Sequence, residues 1–184
     1  FEKYLQTINR QIKDIEKLVN EFSNFARMPR PILKKINIDN IIKKSLDFIK
    51  MTSKSSINLI TKDKEIFING DEDQLNRVFI NLIKNSQEAI DEISKKDTKF
   101  KGNIDIEIDN NNDYIVCRLT DNGSGITDPK KAMTPYFTTK KTGTGLGLPI
   151  VTKIINEHLG DFSIRNKKKG KGTIISISLP KLNA

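Results

Sequence analysis

Residues 119–151 read LTDNGSGITDPKKAMTPYFTTKKTGTGLGLPIV, and how this stretch is parsed decides the fold. It leaves an apolar strand candidate, Tyr114–Leu119, through the polar turn Asp121-Asn122-Gly123-Ser124-Gly125-Ile126. It then crosses a long loop rich in Gly, Thr, Lys and Pro and enters a helix at Leu148. Long loops in compact domains are functional lids or disordered segments. Glycines running into a helix start expose backbone N–H groups at the positive end of the helix dipole, which favours phosphate. Neither common phosphate loop is present. Gly170-Lys171 is followed by Gly172, so there is no GxxxxGK[ST]. Gly143-Thr144-Gly145-Leu146-Gly147 runs into Leu148 where a dinucleotide fingerprint needs its third glycine.

Upstream, Ile104–Ile108 alternates as IDIEI and reaches Tyr114–Leu119 across a polar turn at 109–113, which predicts a β-hairpin. Asp71 with Gln74 three residues on resembles a capping box. The helix it starts buries Leu75, Val78, Phe79, Leu82, Ile83, Ile90 and Ile93. Asn81 and Asn85 lie one turn apart on one face of that helix. A carboxamide oxygen there is a suitable hard ligand for magnesium already held by phosphates. Further upstream, Asp39–Lys50 has helical spacing, and Ile57–Ile60 and Glu65–Asn69 are short strand candidates. Downstream, a helix from Leu148 to Leu159 stops at Gly160, and Phe162–Arg165 and Thr173–Leu179 pair around NKKKGKG. The expected class is α+β, a two-layer sandwich with helices on one face of a mixed, largely antiparallel sheet.

Residues 1–27 follow a different rule. Phe1, Leu5, Ile8, Ile12, Ile15, Val19 and Phe22 are spaced 4-3-4-3-4-3, a heptad seam that Pro29 and Pro31 end. Such a seam needs a partner helix. The domains expected are a long helix over 1–29 and a globular unit over 30–184. Phe1 stands where Met would open a whole protein, so the chain is expected to be a piece of a longer one.

The composition narrows the function classes. Thirty-two Lys and Arg against 23 Asp and Glu give a net charge of +9. The lysines are scattered in pairs, without an Arg cluster or interleaved aromatics, which argues for a solvated surface and against nucleic-acid binding. Cys117 is the only cysteine, so no disulfide framework exists and a reducing cytoplasm is expected. No apolar run approaches a membrane span.

Four clusters in one order are the specific signal: NLIKNSQEAI at 81–90, DNGSGI at 121–126, TPYFTTK at 134–140 and GTGLGLPIV at 143–151. They resemble the N, first glycine, phenylalanine and second glycine boxes of sensor histidine kinases. These belong to the gyrase, Hsp90, histidine kinase and MutL (GHKL) superfamily, which shares the Bergerat ATP-binding fold. EFSNFARMPRP at 21–31 resembles the end of the second dimerisation helix in the nitrogen-regulation, NtrY-like branch.

The resemblance implies an ATP or ADP site with Mg2+. Asp121 would accept from the adenine amino group, with Thr173 supporting it through water. Gly123 and Gly125 would admit the base, and Ile126 would line its pocket. Asn85 would ligate the metal, with Asn81 beside the phosphates. Lys140 and the backbone of Gly143, Thr144, Gly145, Leu146 and Gly147 would hold the phosphates, and Phe137 would anchor the lid. One departure is Glu88, where many such kinases carry a basic residue. Lys84, Lys140 or Lys141 must then neutralise phosphate.

ATP hydrolases of the superfamily place a water-activating glutamate four residues before the metal asparagine. Here that residue is Asn81, which has no useful basicity. The phospho-acceptor histidine would lie on a first dimerisation helix absent from this chain. His158, the only histidine, is expected to cap its helix C-terminus. The expected function is therefore γ-phosphoryl donation to that missing helix. The alternatives are a serine/threonine kinase of the anti-sigma-factor type or a GHKL ATPase. Implied partners are a second copy through the N-terminal helix and a response regulator, NtrC-like in this branch. The parent protein is expected in the bacterial inner membrane, with this part in the cytoplasm.

Overall fold

The hairpin expected from the IDIEI alternation is the centre of the sheet in the computed structural model, which describes residues 2–50, 55–61, 65–111, 113–140 and 143–182. Phe1 of the seam and Lys141 lie outside the described residues. Strands β4 (Asn103–Asn110) and β5 (Tyr114–Asp121) pair antiparallel, Ile106 opposite Leu119. β7 (Thr173–Pro180) flanks β5, and β6 (Asp161–Asn166) closes that edge. β2 (Ser56–Thr61) lies parallel to β4 on the other edge, giving the order β2-β4-β5-β7-β6. This is the mixed, largely antiparallel sheet expected. A separate ribbon pairs β1 (Lys34–Asn37) with β3 (Phe67–Gly70). β1 was not foreseen, because the charged KKIN stretch carries no strand alternation.

Only one sheet face is covered. Ile104, Ile106, Ile115, Cys117, Ile175 and Ile177 point inward and are at most 3% exposed. Their neighbours Asp105, Glu107 and Arg118 point outward, with Arg118 paired to Glu107 at 3.2 Å and to Asp109 at 3.7 Å. Over the inner face lie α2 (Ile38–Lys50), α3 (Glu72–Ser94) and α4 (Gly147–Glu157). Leu75, Val78, Leu82, Ile83 and Ile90 of α3 join Ile150, Ile154 and Ile155 of α4 in one core. Each such side chain contributes about 1.5–3 kcal/mol by leaving water. Burial pushes the Cys117 thiol up to about 12, so it acts as a small core hydrophobe.

Two ends of helices differ from the sequence expectation. Asp71 does cap α3, accepting from the Gln74 backbone N–H at 3.1 Å. The reciprocal arm of a capping box is absent, however. Gln74 Nε2 donates to the Pro29 carbonyl at 3.0 Å, and the Asp71 N–H goes to His158 Nε2 at 2.9 Å. His158 Nδ1 lies 2.8 Å from the Ile154 carbonyl, so the buried ring joins the end of α4 to the start of α3. Gly160 is not the residue that turns the chain. Leu159 takes the left-handed conformation at φ 58°, while the amides of Leu159 and Gly160 donate to Asn156 and Ile155, a Schellman arrangement. A side chain at Gly160 would meet the Ser178 carbonyl, so its small size serves packing.

Helix α1 (Glu2–Ala26) stands apart from this core. Leu5, Ile8, Ile12, Ile15, Val19 and Phe22 are between 45% and 61% exposed. Its last turn reaches the globular unit, where Phe22 lies 6.4 Å from the ring of Tyr136 and Lys153 Nζ sits 5.4 Å from the ring of Phe25. The following segment is tied to α3 by Ile32 N–H, which donates to Asp71 Oδ2 at 2.9 Å.

Burial would raise the Asp71 carboxyl, but N–H donors from Ile32, Gln74 and Asp73 outweigh it and hold the group below the usual carboxylate range. A lowered folded value stabilises the fold above the unfolded pKa and loses that contribution as pH falls through the folded value. Asp71→Ala is expected to cost about 1 kcal/mol in denaturant unfolding near pH 7, the usual scale for an N-cap. The deficit should shrink once pH drops below about 4.

Candidate functional site

A cleft of about 610 Å³ opens between α3, the turn after β5, the long loop, the start of α4 and the β6–β7 turn. That volume suits a ligand of cofactor size. Its walls include Asn81, Asn85, Asp121, Gly125, Ile126, Lys140, Gly143, Thr144, Gly145, Gly147 and Thr173. Two of the expected residues stand behind the wall. Leu146 is fully buried, its side chain part of the core. Gly123 packs on α3, where an added Cβ would come within 2.7 Å of the Ala89 backbone. Its lack of a side chain lets the turn lie on the helix.

Asp121 is the fixed point of the cleft. It is 2% exposed, and an unpaired buried carboxylate would be strongly unfavourable. Its Oδ1 accepts from the backbone N–H of Gly123 at 2.9 Å and of Thr173 at 3.1 Å. The Thr173 link is thus a direct bond from its backbone. Oδ2 accepts from the Ser86 hydroxyl at 3.0 Å. Sequence reasoning missed Ser86, because one serine between Asn85 and Gln87 on a helix carries no signal until β5 is placed beside it. Asn166 was missed for the same reason. Its amide brackets Ile126, accepting from the Ile126 N–H at 2.8 Å and donating to its carbonyl at 2.7 Å.

At the other end, Asn81 and Asn85 face the start of α4. A Cβ at Gly147 would sit 3.7 Å from Asn81 Oδ1 and 3.8 Å from Asn85 Nδ2. Asn81 Nδ2 donates back to the Arg77 carbonyl at 3.0 Å, which turns its oxygen toward Gly147. Lys140 reaches in from the loop, its ammonium 2.5 Å from Glu88 Oε2 and 3.5 Å from Asn85 Oδ1. Lys84 also lines the cleft but is exposed. Glu88, the departure noted in the sequence, is in the cleft wall.

The loop is fastened at its middle. Tyr136, at φ 67°, donates its N–H to the Gly145 carbonyl at 3.1 Å. Gly145 has φ 70°, and a Cβ there would lie 2.5 Å from the Tyr136 carbonyl carbon, so glycine is required on both counts. Phe137 lines the cleft beside it. From α1, Glu21 enters the same wall and accepts from the Thr144 hydroxyl.

The donor set fits a magnesium ion carried by phosphates. Asn85 Oδ1 already faces a cation, the Lys140 ammonium, and among the described residues no three His, Cys, Asp or Glu are grouped so as to hold a metal ion. One or two protein oxygens plus phosphate oxygens and water is the usual magnesium arrangement.

The family model described as histidine kinase-, DNA gyrase B-, and HSP90-like ATPase matches residues 70–183. The chain belongs to this family. It is 36% identical to an NtrY-like sensor histidine kinase of Rickettsia conorii over 96% of its own length, and 30% identical to the nitrogen regulation protein NtrY of Azorhizobium caulinodans over 97%. It spans 29% and 23% of those two proteins, less than a third of either. The catalytic domain of the histidine kinase ThkA is 26% identical, with a TM-score of 0.69 covering 81% of this chain and 95% of that one. In a complex of ThkA with the response regulator TrrA, the likeness in fold covers 98% of this chain and 51% of that one, at a TM-score of 0.74 and 23% identity. The globular unit is an ATP-binding catalytic domain of the sensor histidine kinase kind, in the two-layer fold expected. Among the described residues no helix is long and apolar enough to cross a membrane.

Removing the hydroxyl from Ser86 strips one of three donors from a buried carboxylate. Ser86→Ala is therefore expected to lower stability by about 1.5–3 kcal/mol, the scale of a hydrogen bond to a charged group. Urea unfolding that matches the parent chain would show that Asp121 does not need the third donor.

Proposed function

We propose that this chain binds Mg-ATP and donates the γ-phosphoryl group to a histidine on a first dimerisation helix outside the chain. On this reading residues 1–29 are the C-terminal helix of the dimerisation domain and residues 30–184 the catalytic domain. The observation that carries it is the convergence of Asp121, Asn85, Lys140 and the Gly143–Gly147 run on one cleft, with Asn81 where a hydrolase would hold a carboxylate. An amide tied to the Arg77 carbonyl cannot take a proton from water.

Each residue has a part in this scheme. Asp121 Oδ2 accepts from the adenine amino group, while its other oxygen stays on Gly123 and Thr173. Gly125 and Ile126 flank the base. Asn85 holds magnesium, whose contribution when bound is to neutralise charge on the β- and γ-phosphates. Lys140, Asn81 and the backbone of Gly143, Thr144, Gly145, Leu146 and Gly147 hold the phosphates, the residues at the α4 start adding the helix dipole. Phe137 keeps the loop in place by packing. Phosphoryl transfer asks little covalent chemistry of a protein, so positioning and electrostatic stabilisation suffice.

The exposed seam of α1 pairs with a second copy in this scheme, because six large apolar side chains in water invite association. A chain that remains monomeric by light scattering at high concentration would remove that element. The response regulator is NtrC-like, on the strength of the NtrY relatives, and the parent works at the inner membrane with this domain in the cytoplasm.

Incubated alone with radiolabelled ATP, the chain should hydrolyse it slowly and remain unlabelled. A partner carrying the missing helix should gain acid-labile phosphate. Asn85→Ala should abolish the transfer. Asp121→Ala should weaken ATP binding by ~1.5–3 kcal/mol, and GTP, which lacks the amine at that place, should compete poorly. Rapid hydrolysis by the chain alone, or acid-stable label on the partner, would replace this reading with a hydrolase or a serine kinase.

A further inference from the structure

Glu88 is a charged residue of the cleft to which the nucleotide-binding scheme gives no task. It follows Asn85 by three positions, so both side chains leave α3 on one face, a turn apart. Lys140 comes from a loop 52 residues further along the chain, and its ammonium lies 2.5 Å from Glu88 Oε2 and 3.5 Å from Asn85 Oδ1. The two oxygens thus converge on one point, and a positive charge sits at that point. An isolated surface pair of this kind contributes little. This pair instead lies in the cleft wall, on the oxygen proposed to ligate metal.

We propose that Glu88 belongs to the magnesium site as an outer ligand, bonded to the ion through water, and that Lys140 and the ion compete for the position between Glu88 and Asn85. Magnesium gives up its waters reluctantly, so a carboxylate one turn from the direct ligand is placed to accept from one of them. With an ion held there, the charge of Glu88 would be balanced and the Lys140 ammonium would be free to turn to the phosphates. An acid where a base would serve phosphate directly then has a purpose. Glu88 repels nucleotide that arrives without metal and favours nucleotide that arrives with it. The same contact couples metal binding to the loop, since Lys140 cannot remain on Glu88 once the ion is in place.

The inference rests on the nucleotide-site reading, and the test separates the two. Binding of ADP to the whole chain is followed by calorimetry with and without metal, and Mn2+ uptake in the presence of ADP by electron paramagnetic resonance. For Glu88→Gln, Mn2+ affinity should fall ~10-fold or more, the range seen when outer-shell partners of a metal are removed. Metal-free ADP should bind Glu88→Gln at least as tightly as the parent chain. Glu88→Asp should recover most of the Mn2+ affinity. Lys140→Met should weaken metal-free ADP binding, while Mn2+ affinity read at saturating ADP should be equal or higher, because a competitor for the position is gone. Unchanged Mn2+ affinity in Glu88→Gln, with ADP still bound, would make Glu88 only a partner of Lys140 and overturn the proposal. No ADP binding by the parent chain would overturn the nucleotide site itself, and this proposal with it.

Discussion

The buried carboxylate of Asp121 is the constraint around which the rest of the domain is arranged. A charge that is 2% exposed survives only if the chain brings donors to it, and here they come from three places. Gly123 supplies one from the turn directly after β5, Thr173 one from the first residue of β7, and Ser86 one from the middle of α3. Satisfying Asp121 therefore fixes the helix over the sheet and brings the start of β7 against the end of β5. The turn must also lie flat on α3, which is why Gly123 has no room for a side chain. The carboxylate organises the cleft before any ligand uses it, with one oxygen committed to the backbone and the other supported by a single hydroxyl.

The opposite end of the cleft is built with looser joints. The loop over residues 127–140 has only a short 3-10 turn at Lys131–Met133, and its firmest attachment is the Tyr136–Gly145 backbone contact. Besides the Lys131–Asp128 pair within it, Lys140 reaches α3, and Thr144, just beyond the loop, meets Glu21 of α1. Glu21 lies on the helix that carries the exposed seam, so the cleft wall and that helix are in contact there. The other attachment of that region is the joint at Asp71, which holds Ile32 of the linker, the start of α3 and, through His158, the end of α4. One end of α1 thus leads to a rigid joint and its side meets a yielding loop.

The sequence by itself determined the hairpin, the apolar faces of α2, α3 and α4, and the one-sided sheet, because each follows from a period of two or of 3.6 in nearby residues. It also singled out Asn81, Asn85, Asp121 and the glycines of 143–147 as candidates, since they lie in ordered clusters of polar and small residues, and the structure gathers them at one cleft. Tertiary structure alone decided which groups meet across long separations. Ser86 meets Asp121 35 residues away, Lys140 meets Glu88 across 52, and His158 meets Asp71 across 87. No local period encodes such pairs. Glu88 departs from the basic residue usual at its place, and helical spacing fixes the direction of its side chain but not the distant loop that meets it. Likewise the residue that turns the chain after α4 is Leu159, although Gly160 next to it has the expected chemistry. Packing against the Ser178 carbonyl claims the small residue for contact, and the left-handed turn falls to its neighbour.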